Sequence, residues 1–220
     1  MRSSEPMPGN PWPRDMVISI DENDALLVRL LFVRAAWGLG ANGVPAVVGL
    51  GEVGTGAGRV IGSSRLPPDV GFAKADYLWR DEWERSWERF DVRDRRVRPM
   101  DARQREVLDA TPDADLGAAY LIGPSRFWSE GIDEEAFDRW NHGLFERTIQ
   151  GHRTPLEESP ERRALPALVS AWKTGLTNIL QLPFAGDFAE RINANYLVVS
   201  EETRLDAALY SRALALPSIT

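Results

Sequence analysis

The chain contains no cysteine. That removes disulfides, thiol nucleophiles and cysteine-ligated zinc or iron–sulfur centres from consideration, and it is compatible with a reducing compartment. Lysine is almost as scarce: Lys74 and Lys173 are the only two, and arginine supplies the remaining basic side chains. Acidic residues outnumber them, for a net charge of −7 and a pI near 5.0. A general nucleic-acid binder needs surplus cations to displace the counterions of phosphate, so that class is excluded. There is no long apolar run either. Ala25 to Leu39 is the longest, and Arg29 and Arg34 interrupt it before it reaches membrane-spanning length. The first fifteen residues are polar and proline-rich with no apolar leader core. Cytoplasmic location without membrane attachment is the expectation.

Catalytic signatures are missing as well. No G-x-S-x-G, H-E-x-x-H or P-loop occurs, and the two histidines, His142 and His152, form no recognisable pair. Gly49, Gly51 and Gly54 follow the apolar run Val44–Val48 with the spacing of a dinucleotide fingerprint. The motif needs a helix starting at its third glycine, to bring that helix's N-terminus against the pyrophosphate. Gly56, Gly58, Gly62, Pro67 and Pro68 forbid that helix. A glycine-rich loop, or a hairpin of Val44–Val48 with Arg59–Ile61, is expected instead, with no bound cofactor and no metal.

What the chain does hold is ordinary globular composition, 43% hydrophobic and 27% charged. Its 220 residues are sufficient for one well-buried core. Residues 1–15, with Pro6, Pro8, Pro11 and Pro13, read as a flexible arm with Trp12 as its tether; residues 16–220 read as a single domain. The chain centres on Asp76–Phe90. Trp79, Trp83, Trp87 and Phe90 share an arc of about 80° on one helical face, opposite Arg80, Asp81, Glu82, Glu84, Arg85, Glu88 and Arg89. A stripe of this weight is expected to be core, with a lip left for docking. Trp83, in the middle, is expected to be its costliest alanine site. Past Phe90, Arg93, Arg95, Arg96 and Arg98 form the one dense basic cluster, read either as the solvated end of a helix or as a site for an acidic partner.

Other elements follow from period and caps. Met16–Ile20 reads as a strand, and Asp21 as the cap of a helix ended by Gly38 and Gly40. Asp101–Leu108 reads as a short helix and Gly117–Gly123 as a buried strand. Asp133 caps a helix with Phe137, Trp140 and Leu144 inward and His142 outward between Asp138 and Glu146, ending before a loop at His152. The stripe Leu165, Leu168, Val169, Trp172, Leu176 and Ile179 extends a helix as far as Pro183. A short helix at Phe188–Ile192, a strand at Tyr196–Val199 and a last helix capped by Ser200, with Leu205, Leu209 and Leu216 inward, complete the chain. No repeat occurs.

The sum is a helix-dominated α+β fold of about seven helices and a small sheet of short strands, with all-α as the alternative. Two function classes remain. The first is a non-enzymatic protein-binding or regulatory module that uses the aromatic and arginine-rich helix, through Trp79, Trp83, Trp87, Arg93, Arg95, Arg96 and Arg98. Its protein partner is unknown, and self-association is left open. The second is a carboxylate-using, hydrolase-like enzyme acting on a small molecule, with acids among Glu82, Glu84, Asp113, Asp115, Glu157, Glu158, Glu201 and Glu202. Two or more desolvated charges in a concave pocket would favour the enzyme.

Overall fold

The runs NILQL and YLVVS set the centre of the fold, because side chains alternate across a strand and these two are apolar on both faces. A computed structural model describes residues 12–40, 43–50, 61–90 and 126–218. In it β2 (Asn178–Leu182) and β4 (Tyr196–Ser200) pair in parallel, with β1 (Ser19–Glu22) parallel to β2 on one side and β3 (Ala189–Arg191) antiparallel to β4 on the other. The order β1-β2-β4-β3 thus places the two buried strands in the middle.

Alternation then divides the core in two. Leu180, Leu182, Tyr196 and Val198 face one cluster, built with α1 (Ala25–Trp37) and α2 (Phe72–Glu88). Ile179, Leu197 and Val199 face the other, built with α5 (Leu165–Lys173) and α7 (Ala207–Leu214) and closed by Met16 and Ile18. Trp12 packs on this second cluster, as a tether would. The remaining helices are α3 (Glu134–His152), α4 (Pro160–Arg163) and α6 (Glu201–Leu205). The molecule is therefore a helix-dominated α+β fold with seven α-helices and a four-stranded mixed sheet among the described residues, as the sequence suggests.

Helix α1 lies against the sheet and is sealed nearly all round, Arg29 and Arg34 included. Its cap is Asp24 rather than Asp21: the Asp24 carboxylate accepts from the amides of Leu26 and Leu27, while Asp21 is still paired in β1. Gly38, at φ 65°, ends it in the left-handed turn that glycine permits. Helix α2 runs antiparallel to it. Near one end Arg80 donates to the Gly40 carbonyl at 2.6 Å, and at the other Arg89 pairs with Asp24.

That crossing decides how the tryptophan stripe is buried. Trp79 is fully sealed and donates its indole N–H to the Leu30 carbonyl at 2.8 Å. It stacks on Trp83 at 5.2 Å and 14°, and edge contacts continue through Trp87 and Phe90 to Tyr196 of β4. Trp83 and Trp87 are only half-buried. The costliest position is therefore expected at the N-terminal tryptophan rather than the middle one, because α2 meets α1 at Trp79. The helix begins at Phe72, ahead of Asp76, and Gly71 caps it with no side-chain hydrogen bond.

Four further expectations are corrected. The helix from Leu165 stops at Lys173, not Pro183; Gly175, at φ 107°, turns the chain, and Ile179 sits in a strand. Phe188–Ile192 holds β3 rather than a helix, held by pairing to β4. Gly151 does not end α3, which runs through His152. The last helix breaks at Asp206, which caps α7 by accepting from Ala208 and Leu209, so that Leu205 turns outward, 48% exposed, and Tyr210 and Leu214 fill the core. Within Val44–Val48, Val47 bridges Phe184, while residues 51–60, with most of the expected hairpin partner Arg59–Ile61, lie outside the described residues. The expected elements Asp101–Leu108 and Gly117–Gly123 lie outside the described residues.

Candidate functional site

Burying an ion is costly unless it is paired, so the place where charges are desolvated is the first place to look for chemistry. That place is the carboxyl end of the parallel strands. Glu22 ends β1 and Gln181 lies near the end of β2, and β4 runs directly into α6, which carries Arg204. Glu161, from the first turn of α4, and Tyr210, from α7, come in from the second helical layer. Arg204 donates Nε–H to Glu161 Oε1 at 2.8 Å, and Nη1 to Gln181 Oε1 at 2.8 Å and to Glu22 Oε1. The Tyr210 hydroxyl donates to Glu161 at 3.4 Å. Glu161 is 2% exposed and Tyr210 fully buried.

The electrostatics of this cluster are those of a closed ion pair. Burial works against the charged guanidinium, but the hydrogen bond and charge of Glu161, with Tyr210 and Glu22 adding to them, outweigh it and hold Arg204 above its ordinary value. Burial, then the charge of Glu161, pushes the Tyr210 hydroxyl up. Every strong donor of Arg204 that reaches an acceptor ends on β1, β2 or α4, so the group ties four elements together. Ser200 does similar work beside it. Its hydroxyl donates to the Gly186 carbonyl at 2.7 Å and caps α6 by accepting from Thr203 N–H at 3.1 Å.

Two more buried arginines sit in α1. Arg29 forks onto Glu134 of α3, Nη1 to Oε2 at 2.7 Å and Nη2 to Oε1 at 2.5 Å, with its guanidinium 4.5 Å from the Phe137 ring. Arg34 donates to the carbonyls of Val44 at 2.9 Å and Pro45 at 2.5 Å, and burial brings its pKa down to about 10. The first docks α3 on α1 and the second fixes the segment after Gly43.

Beside the Arg204 cluster lies an open groove of about 590 Å³, between the end of β1 and α3. Glu22, Asn23, Asp138, Asn141, His142, Leu144, Phe145 and Thr148 line it. Asn23 turns the chain out of the strand at φ 58°, a left-handed conformation that asparagine tolerates better than most side chains. Its amide then donates to Thr148 Oγ1 at 3.3 Å, pinning the turn to α3. His142 is exposed as expected, with Nε2 3.3 Å from Glu146. The described residues contain no grouping of three or more histidines and carboxylates that could hold a metal ion, and no helix long and apolar enough to cross a membrane.

Of the residues singled out in the sequence, Trp79 is internal, Trp83 and Trp87 keep part of their surface, and Arg93, Arg95, Arg96 and Arg98 lie outside the described residues, as do Asp113 and Asp115. Glu82 and Glu84 are on α2, and Glu157 and Glu158 are exposed in the 3₁₀ turn just before α4; Glu201 reaches Arg147 of α3 at 3.5 Å. The two acids that are desolvated, Glu22 and Glu161, are not among the sequence candidates. Their local signal is slight: one acid ends the short, mostly polar strand Ser-Ile-Asp-Glu and one lies in a Ser-Pro-Glu helix start. No protein-family model matches the chain, and comparison with curated proteins and with solved structures finds no significant similarity.

The cap carboxylates give a pH prediction. The Ser63 and Ala136 amides hold Asp133 below its ordinary 3.8, the Leu209 and Ala208 amides do so for Asp206, and the Arg29 hydrogen bond holds Glu134 below 4.5. A depressed folded value means stability that is present above the unfolded value and lost as pH falls through the folded one. Urea unfolding is therefore expected to give a level free energy from pH 7 down to about 5 and a decline below about 4.5. Glu134→Gln should flatten part of that decline.

Proposed function

We propose that this chain is a non-enzymatic protein-binding module, and that its recognition surface is the groove where β1 ends against α3. The observation that carries the reading is the engagement of the buried charges. A general acid or base must exchange its proton with a substrate. Glu161 instead is sealed and fixed by Arg204, and Arg29, Arg34 and Arg191 are each committed to a carboxylate or to backbone carbonyls. The displaced carboxyls, Asp133, Glu134 and Asp206, are all held ionised, opposite to the direction that keeps a carboxyl available as an acid. The groove, by contrast, presents exposed polar and aromatic side chains on a rigid helix.

The half-exposed rings of Trp83 and Trp87 stay in this reading as a secondary contact, with Arg93, Arg95, Arg96 and Arg98. We read residues 16–220 as one domain because β1 comes from the first part of the chain and its partner β2 from the last. A cytoplasmic setting fits the absence of cysteine. One observation favours the hydrolase reading: the groove lies at the carboxyl ends of β1 and β2, where open α/β sheets bind small ligands. Its acids would be Glu22 and Asp138, with His142.

Site-specific photo-cross-linking separates the two. A photoreactive residue in place of Phe145, expressed in the native host, should give a discrete protein adduct. The same residue at Tyr77, on α2 and 69% exposed, should not. Equal adducts at both positions, or none at 145, would remove the groove as a protein-binding surface.

A further inference from the structure

The outward face of α3 carries a stripe that neither the core nor the buried ion cluster uses. Asp138, Asn141, His142, Phe145, Glu146 and Ile149 are all exposed and recur at three- and four-residue spacing, which keeps them on one side of the helix. Phe145 is 59% exposed and Ile149 37%, one turn apart, and together they make an apolar step at the edge of the groove.

The charges around that step are uneven. On α3, Arg139 reaches Glu135 at 3.9 Å, and Arg147 reaches Glu201 of α6 at 3.5 Å. From the layer beneath, Arg204 holds Glu22. Arg139, Arg147 and Arg204 are thus each already set against an acid. Asp138 has no such cation among the described residues, and Glu146 has only His142, which is charged only when protonated. An apolar step is left, flanked by two carboxylates that no arginine or lysine among the described residues engages.

We propose that this face docks a cationic amphipathic helix of a partner protein, with apolar side chains on Phe145 and Ile149 and lysines or arginines toward Asp138 and Glu146. This rests on the binding-module reading and names the chemistry of its partner. Charge complementarity selects the occupant. A second copy of this chain would set the same acids against each other, and a nucleic acid or anionic surface meets the same repulsion. A helix laid along a groove is read through anchors one turn apart, which is how Phe145 and Ile149 are spaced.

The probe is a fluorescein-labelled peptide of about 18 residues, five helical turns, with one leucine face and one lysine face. A second peptide carries glutamate for every lysine. Anisotropy at near-physiological salt should show saturable binding of the lysine peptide and none of the glutamate peptide. Asp138→Asn with Glu146→Gln, and separately Phe145→Ser with Ile149→Ser, should each weaken binding about tenfold or more. Glu84→Gln with Glu88→Gln, exposed acids on α2, should leave it unchanged. All these positions are at the surface, so each variant should melt like the wild type.

No binding of the lysine peptide, or binding that all variants share equally, overturns the proposal, the second result being mere attraction to an acidic protein. If the glutamate peptide binds instead and Phe145→Ser abolishes it, the cationic partner is wrong while the groove remains a recognition surface. If neither peptide binds but the Phe145 cross-link forms in the host, the helix chemistry fails and the module reading stands.

Discussion

Trp79→Ala is expected to remove a large part of the protein's stability, about 3–5 kcal/mol, where a domain has about 5–15 in all. Three losses combine at this position. A fully sealed indole leaves a cavity between α1 and α2. The Leu30 carbonyl loses its 2.8 Å donor, and Trp83 loses the ring stacked on it. Arg34, whose guanidinium lies 5.9 Å from the Trp79 ring, loses part of its surroundings as well. Trp87→Ala should cost distinctly less, since that ring is only half-buried. Urea unfolding of the two variants side by side gives the answer. Equal losses would mean that the stripe is buried uniformly and that the α1–α2 crossing is not where it stands here.

The second large effect is expected at Arg204. Truncation to alanine leaves Glu161 charged and buried with no cation, a defect that typically costs about 3–5 kcal/mol. The pair itself is a different matter, because buried ion pairs can often be replaced by apolar groups of similar volume at little cost. Glu22→Gln, Glu161→Leu and Arg204→Met together keep the volume and remove the charges. That triple variant is expected to be more stable than Arg204→Ala alone. A triple variant less stable than the single one would mean that the charges are required for reasons other than mutual compensation.

Much of the fold can be read locally. Asp133 as a cap, the inward Phe137, Trp140 and Leu144, the strand expected at Tyr196–Val199 and Ser200 as the cap of the helix after it are set by neighbours a few residues apart, and they stand as expected. What misleads is periodicity that continues past its element. Leu176 and Ile179 extend the helical stripe of α5, yet Gly175 breaks the backbone and Ile179 is claimed by parallel pairing to β4. Three-residue β3 has no pattern of its own and exists only because β4 lies beside it. The site is the least legible part. Arg204 meets Glu161 across 43 positions and Glu22 across 182, and no window of sequence contains such a pair. Among 33 acids, the two that matter are distinguished only by where the chain folds them.

In the division of roles proposed here, the buried charges maintain the fold and recognition belongs to the outward face of α3. The triple variant at Glu22, Glu161 and Arg204 separates the two roles, because it discharges the cluster and leaves Phe145, Ile149, Asp138 and Glu146 in place. The decisive quantity is the yield of the Phe145 photo-adduct in the native host, wild type against triple variant, at matched amounts of folded protein. The same adduct at a similar yield is expected. A folded triple variant that forms no adduct would refute this division of roles, and would place the function in the buried carboxylates after all.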